Sequence, residues 1–320
     1  MVTPHLSLLK HEDLVQPFLL HDSTVRGRMT RLSPTIDTIL NRHENHPLVN
    51  KLLGEMLTLS ALLSSSLPEE GILTMQAKGD GPVEFIIVDA VHGGGLRGYA
   101  RTKENANDML DAVQEENPHP DLPTLMGKGY LAITLDMGIG DPYQGIVPLE
   151  GKSLTDAVQH YFSQSQQINV MFNVHVNRRI DKEGHASWAS GGIMLERLPE
   201  EGGKPSKKVI STAELHDREH WAYHELLANT ASEDELLDPH LAPSALLYRL
   251  FNEGGVWVHE PKQVSPTCRC SRDKISNILL SMDDETLEEL AVEGVISVTC
   301  EFCNKEEDFK TEELLKKEKD

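Results

Sequence analysis

None of the four cysteines of this 320-residue chain lies before residue 268. Disulfides within the long preceding stretch are therefore excluded, and its fold has to come from apolar burial. Positive charge is scarce as well: 30 Lys and Arg face 51 Asp and Glu, a net charge of −21. Neutralising phosphates needs a basic face, so nucleic acid is excluded as a main partner. Aromatic residues make up only 5% and apolar residues 39%, lean but adequate for one mid-sized core and a smaller satellite. Long hydrophobic runs are missing too. The longest apolar-rich stretch, Leu48 to Leu67, is broken by Asn50, Lys51, Gly54 and Glu55; it reads as a buried amphipathic helix, and no membrane span is expected. Met1 to Leu20 lacks a basic segment followed by an apolar run, because Lys10, His11, Glu12 and Asp13 interrupt it, so a cytoplasmic chain is expected.

What is present divides the sequence into three parts, 1–198, 199–259 and 260–320. The first mixes helix and strand signals. Ser33 can cap a helix with Pro34 at its first position, and a second helix follows Pro47, with Leu52, Leu53, Met56, Leu59, Leu62 and Leu63 recurring three and four apart. Ile72 to Ala77, Val83 to Ala90 and Tyr130 to Met137 are short, β-branched or aromatic, and bounded by turns such as Gly79-Asp80-Gly81, which predicts strands. A helix from Ser153 to about Gln166 precedes strands at Ile168 to Arg178 and Ala186 to Leu195. Few strands are joined by a helical crossover. The expectation is an α+β domain with a largely antiparallel sheet and packed helices.

Pro199 to Ser206, with two Pro, two Gly and no apolar residue, marks a boundary. Beyond it the pattern is helical but poor in apolar mass. Ala222/Leu226 and Tyr223/Leu227 are i,i+4 pairs, and Leu246, Leu247, Leu250 and Phe251 form one stripe after Pro243. Helices this short are marginal in isolation, so this linker must dock on something. Gly254-Gly255 ends it, and Val256-Trp257-Val258 reads as a short strand leading to the cysteines. From Ser281 to Asp320 there are 14 acidic and 5 basic side chains, and the charged stretch from Lys305 to the end reads as frayed or disordered.

The four cysteines fall within 36 residues, which random placement gives less than about one time in a hundred. Cys268-Arg269-Cys270 and Cys300-Glu301-Phe302-Cys303 enclose 29 residues. Two close pairs around a folded insert supply four thiolates in the tetrahedral arrangement that Zn2+ takes. The insert carries its own signals: Ser271 can cap a helix bearing Ile275, Ile278 and Leu279, Asp283 or Asp284 starts a second with Leu287 and Leu290, and Val295, Ile296 and Val298 form a strand into Cys300. Asn304 suits a left-handed turn after the second pair. The single residue between Cys268 and Cys270 is tighter than the usual ligand spacing, and those two thiols could join to each other. On zinc, thiolates stay nucleophilic towards peroxide, and each oxidation removes a ligand. On residues alone the site can be an inert staple or a switch. A weakly packed helical segment directly upstream gives the switch reading something to release.

Taken in order, a mixed α/β domain, a helical linker and a C-terminal Cys-x-Cys…Cys-x-x-Cys unit resemble the heat shock protein 33 family. Tyr161-Phe162-Ser163-Gln164-Ser165 and Gly191-Gly192-Ile193-Met194-Leu195 look like the end of its N-terminal domain, and Leu246-Leu247-Tyr248-Arg249-Leu250-Phe251 looks like its linker. Cys268, Cys270, Cys300 and Cys303 match its zinc ligands one by one. The resemblance implies a non-enzymatic, ATP-independent, cytoplasmic holdase that is inactive while reduced and zinc-bound. It further implies that oxidative stress forms the disulfides Cys268–Cys270 and Cys300–Cys303, releases zinc, unfolds the C-terminal region and exposes a surface for unfolding clients. Leu246, Leu247, Leu250 and Phe251 are candidates for that surface. Active forms of the family are homodimers and pass clients to ATP-dependent foldases. The acidic tail and His259 depart from the family pattern without touching a ligand position.

Two alternatives to this reading stand: an inverted-zincin metalloprotease and a purely structural zinc protein. His216-Asp217-Arg218-Glu219-His220 fits the protease's pattern of two His flanking a catalytic Glu, with His224 one turn on and a third ligand available from Glu288, Glu289 or Glu293. A solvated His/Glu helix face in an acidic linker explains the same residues. Cys300-Glu301-Phe302-Cys303 as a thiol oxidoreductase motif should open a helix, whereas here it follows a strand. A nucleic-acid-binding zinc ribbon fails on the acidic insert. Gly93-Gly94-Gly95 and Gly138-Ile139-Gly140 lack nucleotide-loop spacing and read as turns, and His43-Glu44-Asn45-His46 misses the zincin spacing. Arg26, Arg28 and Arg31 read as surface charge on a strand, able to guide clients or clasp the acidic linker.

Overall fold

The computed structural model describes residues 11–21, 25–166, 168–198 and 212–315. The chain forms two compact units, Met1–Pro266 and Thr267–Asp320. In the first unit, β1 (Leu14–Leu20) and β2 (Val25–Leu32) lead into α1 (Pro34–Leu40) and α2 (Pro47–Ser64). Next come β3 (Ile72–Gly79), β4 (Val83–Val91), β5 (Gly95–Thr102), α3 (Ala106–Glu116), α4 (Leu122–Met126), β6 (Gly129–Asp136) and β7 (Tyr143–Pro148). The helix α5 (Leu154–Tyr161) runs into a π-helical turn at Phe162–Gln166, followed by the long hairpin β8 (Val170–Ile180) and β9 (Ala186–Arg197). The strand and helix signals of the first part thus hold, with ends shifted by a few residues. Pro199 to Ser206, read as a boundary, lies outside the described residues.

The linker follows as α6 (Thr212–Asn229), α7 (Glu233–Leu237) and α8 (Pro243–Phe251), then β10 (Val256–Val258), β11 (Lys262–Gln263) and β12 (Ser265–Pro266). One sheet has the order β10-β1-β2-β9-β8 with β11 also on β1; the other runs β12-β5-β4-β3-β6-β7. Every pairing is antiparallel except β12 on β5. This is the α+β class with largely antiparallel sheets. Helix α2 is buried on nearly every side, not on one stripe, because residues of both sheets pack around it in one cluster. Its polar residues are matched inside: Thr58 Oγ1 donates to the Gly54 carbonyl at 2.7 Å and pairs with Ser190 Oγ at 2.7 Å.

The opposite face of the first sheet carries the linker. Phe18, Leu20, Val25, Met29, Met171, Ile193 and Leu195 form a second buried cluster with Leu236, Leu246, Leu247, Leu250 and Phe251. Phe18 and Phe251 stack with ring centroids 5.7 Å apart. Contact is close enough that a Cβ on Gly191 would lie 2.6 Å from the Leu236 carbonyl. The stripe that had to dock therefore does so.

Arginines read as surface charge do not all sit there. Arg26 is exposed and pairs with Glu196 at 2.8 Å, but Arg28 is 7% exposed and Arg31 0%. Arg31 sits under the linker, donating to the carbonyls of Leu236 (2.8 Å), Leu241 (2.7 Å) and Glu235 (3.1 Å), and Arg179 donates to that of Leu237 (3.0 Å). Those of Glu235, Leu236 and Leu237 are the last carbonyls of α7, which the helix cannot satisfy itself, and that of Leu241 belongs to the turn before α8. Burial draws the Arg31 guanidinium down to about 10, against the pull of Glu12 and Asp238 upward. Asn173 Nδ2 serves the end of α6 in the same way, through the Ala228 carbonyl at 3.1 Å, and the turn after it through the Ala231 carbonyl at 2.9 Å. The linker is clasped mainly by its main chain; among its acidic side chains Glu233 takes part, accepting from Asn177 Nδ2 at 2.6 Å with His175 Nδ1 at 3.5 Å.

Ser33 occupies the N-cap position of α1 without capping it. The cap is Asp13, whose carboxylate accepts from the Ser33 N–H at 3.0 Å and the Thr35 N–H at 3.0 and 3.1 Å, while Arg179 takes the Ser33 hydroxyl. Asp13→Ala is expected to cost about 1–2 kcal/mol in denaturant unfolding. A loss no larger than that of Ser33→Ala would contradict this assignment.

The second unit holds α9 (Arg272–Leu279), α10 (Asp284–Leu290), the hairpin β13 (Val295–Thr299) and β14 (Glu306–Lys310), and α11 (Thr311–Leu315). Ser271 caps α9 by accepting from the Lys274 N–H at 3.2 Å, and Asp283 caps α10 through the Thr286 N–H at 2.8 Å. The stretch from Lys305, read as frayed, is instead ordered to residue 315: Phe309 and Leu314 are buried, and Arg272 lies 4.3 Å from the Phe309 ring centroid. Two apolar anchors spaced among charges suffice once β13 supplies a strand to pair with.

Candidate metal centre

Two turns present the cysteines. Cys268 and Cys270 precede α9, and Cys300 and Cys303 lie between β13 and β14. In the second turn Asn304 N–H donates to the Cys300 carbonyl at 2.8 Å and Cys300 N–H to that of Lys305 at 2.9 Å, with Asn304 left-handed at φ 56°. Main-chain N–H groups also reach the sulfurs, that of Cys270 bonding Cys268 Sγ and that of Lys305 bonding Cys303 Sγ.

All four sulfurs lie within 4.8 Å of one another, Cys268 to Cys300 at 3.7 Å and Cys270 to Cys303 at 3.4 Å. Zinc–sulfur bonds of about 2.3 Å in a tetrahedron place sulfurs about 3.8 Å apart, so the donor set fits that ion in kind and spacing. All four side chains are half-buried. Burial raises the Cys268 thiol, but the Cys270 N–H and the neighbouring thiols outweigh it and bring it down to about 6. Burial and the crowd of sulfurs push Cys270 well above the ordinary thiol value, and Cys303 is also raised, burial foremost. One thiolate is welcome there and further ones repel it, so a bound cation is what lets all four ionise together.

Among the described residues no other group of three or more Cys, His, Asp or Glu converges in this way. The inverted-zincin motif lies on α6. The side chains of His216 and Glu219 fall outside the described residues, His220 is exposed, and His224 is buried with its ring centroid 6.2 Å from that of Phe251. Leu246, Leu247, Leu250 and Phe251 are buried in the linker cluster. Gly93-Gly94 and Gly138-Ile139-Gly140 are turns, as expected, with positive φ at Gly93, Gly94, Gly138 and Gly140, and Gly95 opens β5. Sequence reasoning missed the roles of Arg31, Arg179 and Asn173. A polar residue recurring on the apolar face of a strand was the available signal.

A family model described as Hsp33 protein matches residues 13–310. The chain belongs to the Hsp33 family. Hsp33-family relatives include the 33 kDa chaperonin of Caulobacter vibrioides strain NA1000 / CB15N, 38% identical over 296 residues covering 92% of this chain and 93% of the relative. That of Vibrio parahaemolyticus serotype O3:K6 is 32% identical over 292 residues, 91% of this chain and 90% of its own length. The crystal structure of the heat shock protein 33 homolog of Thermotoga maritima shares the Hsp33 fold, with a TM-score of 0.75 at 24% identity over 96% of this chain and 99% of that one. No helix among the described residues is long and apolar enough to cross a membrane.

Proposed function

We propose that this Hsp33-family chain is a redox-regulated, ATP-independent holdase. Cys268, Cys270, Cys300 and Cys303 would hold one Zn2+ in the reduced, inactive protein. The observation that carries this is a four-sulfur cluster in a unit whose buried apolar core consists of Leu279, Leu287, Ile296, Phe309 and Leu314. Such a core is too small to hold the unit unaided, so whatever removes the metal also unfolds it. Peroxide supplies the chemistry: in each pair one thiolate attacks it to give a sulfenic acid and water, and the second displaces a further water to close the disulfide. Forming two disulfides, Cys268–Cys270 and Cys300–Cys303, passes four electrons from the thiolates to two peroxides and removes all four ligands.

Loss of the second unit frees the adjoining linker. The sheet face of Phe18, Leu20, Met29, Ile193 and Leu195 and the stripe Leu246, Leu247, Leu250 and Phe251 then become client-binding surfaces. This is a cytoplasmic, non-enzymatic protein of the oxidative stress response, active as a homodimer, handing clients to ATP-dependent foldases; neither nucleic acid nor membrane is a partner. The test is zinc content and suppression of client aggregation before and after peroxide treatment with mild heating. Protection should rise as one equivalent of zinc is lost. Oxidised, zinc-free protein that protects no better than reduced protein would leave only a structural zinc protein. A Glu219→Gln change that abolished peptidase activity of the parent would favour the protease.

A further inference from the structure

Residues 255–266 form a strap with Val264 as its only buried side chain, and Trp257 is 61% exposed. The strap nevertheless covers the edges of both sheets, with β10 and β11 on β1 and β12 on β5. Most of its attachments are main-chain bonds: His21 N–H to the Gly255 carbonyl at 3.0 Å, His259 N–H to that of Pro17 at 3.0 Å, Val264 N–H to that of Asp13 at 2.7 Å, and Ser265 N–H to that of Gly94 at 2.9 Å; side chains add Lys262 Nζ to the Ser65 carbonyl at 2.5 Å and Gln16 Nε2 to the His259 carbonyl. Both edges are thus filled by extended polypeptide held chiefly through its main chain, with Val256, Lys262 and Val264 the side chains that contribute. An edge emptied of such a strand is a template for another.

We propose that, once the strap leaves, the β1 and β5 edges capture extended segments of unfolded clients by strand addition, replacing its hydrogen bonds one for one. This rests on the holdase reading and specifies how a client is held. Recognition through the main chain explains how one site accepts many sequences, since every non-proline residue offers the same N–H and C=O groups. A single residue, Thr267, separates the strap from Cys268, so unfolding beyond that point reaches the strap first.

Two neighbouring glycines provide a matched pair of variants. Gly94 has φ +85°, and a Cβ there would lie 1.9 Å from the Gln263 carbonyl of the strap; Gly93 has φ +82°, and a Cβ there meets nothing within 4 Å. Both alanines strain the turn, but only Gly94→Ala pushes the strap away. The probe is a fluorescent peptide of residues 255–266, compared with the same peptide N-methylated at His259, Val264 and Ser265. Oxidised full-length protein should bind the unmodified peptide about tenfold or more tightly than the methylated one by anisotropy, with the peptide slowing exchange of the His21 amide. Reduced Gly94→Ala should bind it and reduced Gly93→Ala should not.

Equal binding of the two peptides, or none, overturns strand addition. So does protection of the same amide by raising the protein concentration without peptide, which would assign the edges to a second copy. The holdase reading fails separately, if the oxidised chain does not slow aggregation of a whole client, and the peptide comparison on reduced Gly94→Ala still decides the edges.

Discussion

Stripping metal from the reduced protein with a chelator will unfold residues 267–315 while the sheets of the first unit stay folded. Among the described residues the second unit has five buried apolar side chains, spread over three short helices and one hairpin. A structural four-thiolate zinc site contributes about 10–16 kcal/mol, comparable to the whole stability of an ordinary domain. The sulfurs themselves add to the imbalance without a cation, because thiolates this close repel one another. Lowering the pH acts in the same direction, since protons compete with metal for the thiolates. Amide exchange distinguishes the two units: β13 and β14 should lose protection on chelation, whereas β3, β4 and β6 should keep it. Persistent protection of the Ile296 and Phe309 amides in protein shown to be metal-free would refute the dependence.

That unit was legible in the sequence because its determinants are local. Ser271, Asp283 and Asn304 act within a turn of themselves, and the cysteine spacings fix which residues meet. Where partners come from afar the sequence was silent. Ser33 has every property of a cap, yet Asp13, 20 residues earlier, takes the position because β1 delivers its carboxylate there. Arg31 looks like strand surface until α7, some 200 residues later, sets its last carbonyls on that guanidinium. The charged stretch after Lys305 gained order from β13, a partner its composition does not reveal. For the stripe at Leu246 to Phe251, burial could be read but not its location. Of the strap only the strand Val256–Val258 could be read; its pairing with β1, and β11 and β12 altogether, could not, since main-chain pairing leaves almost no mark on side-chain pattern.

Phe251→Ala will detach the linker from a first unit that remains folded. Phe251 is 1% exposed, stacks on Phe18 and lies near the centre of the cluster joining α8 to the first sheet. Truncating a buried Phe costs about 3–5 kcal/mol, and the cavity opens between linker and sheet, not inside the separate cluster around α2. The caps given by Arg31, Arg179 and Asn173 belong to the sheet, so α6 and α7 lose the partners of their final carbonyls as soon as they lift. Detachment should therefore be cooperative across 212–251. Exchange should rise over this range and not in α2, whereas Tyr248→Ala, on the same helix but 67% exposed, should change stability by under about 0.5 kcal/mol. Under the proposed mechanism the consequence is larger than the stability loss: reduced, metal-bound Phe251→Ala should already suppress client aggregation, because releasing the linker is the step that oxidation otherwise drives. Silence of this variant in the reduced state, with its linker shown to be exchanging freely, would mean that the face beneath the linker is not where clients bind.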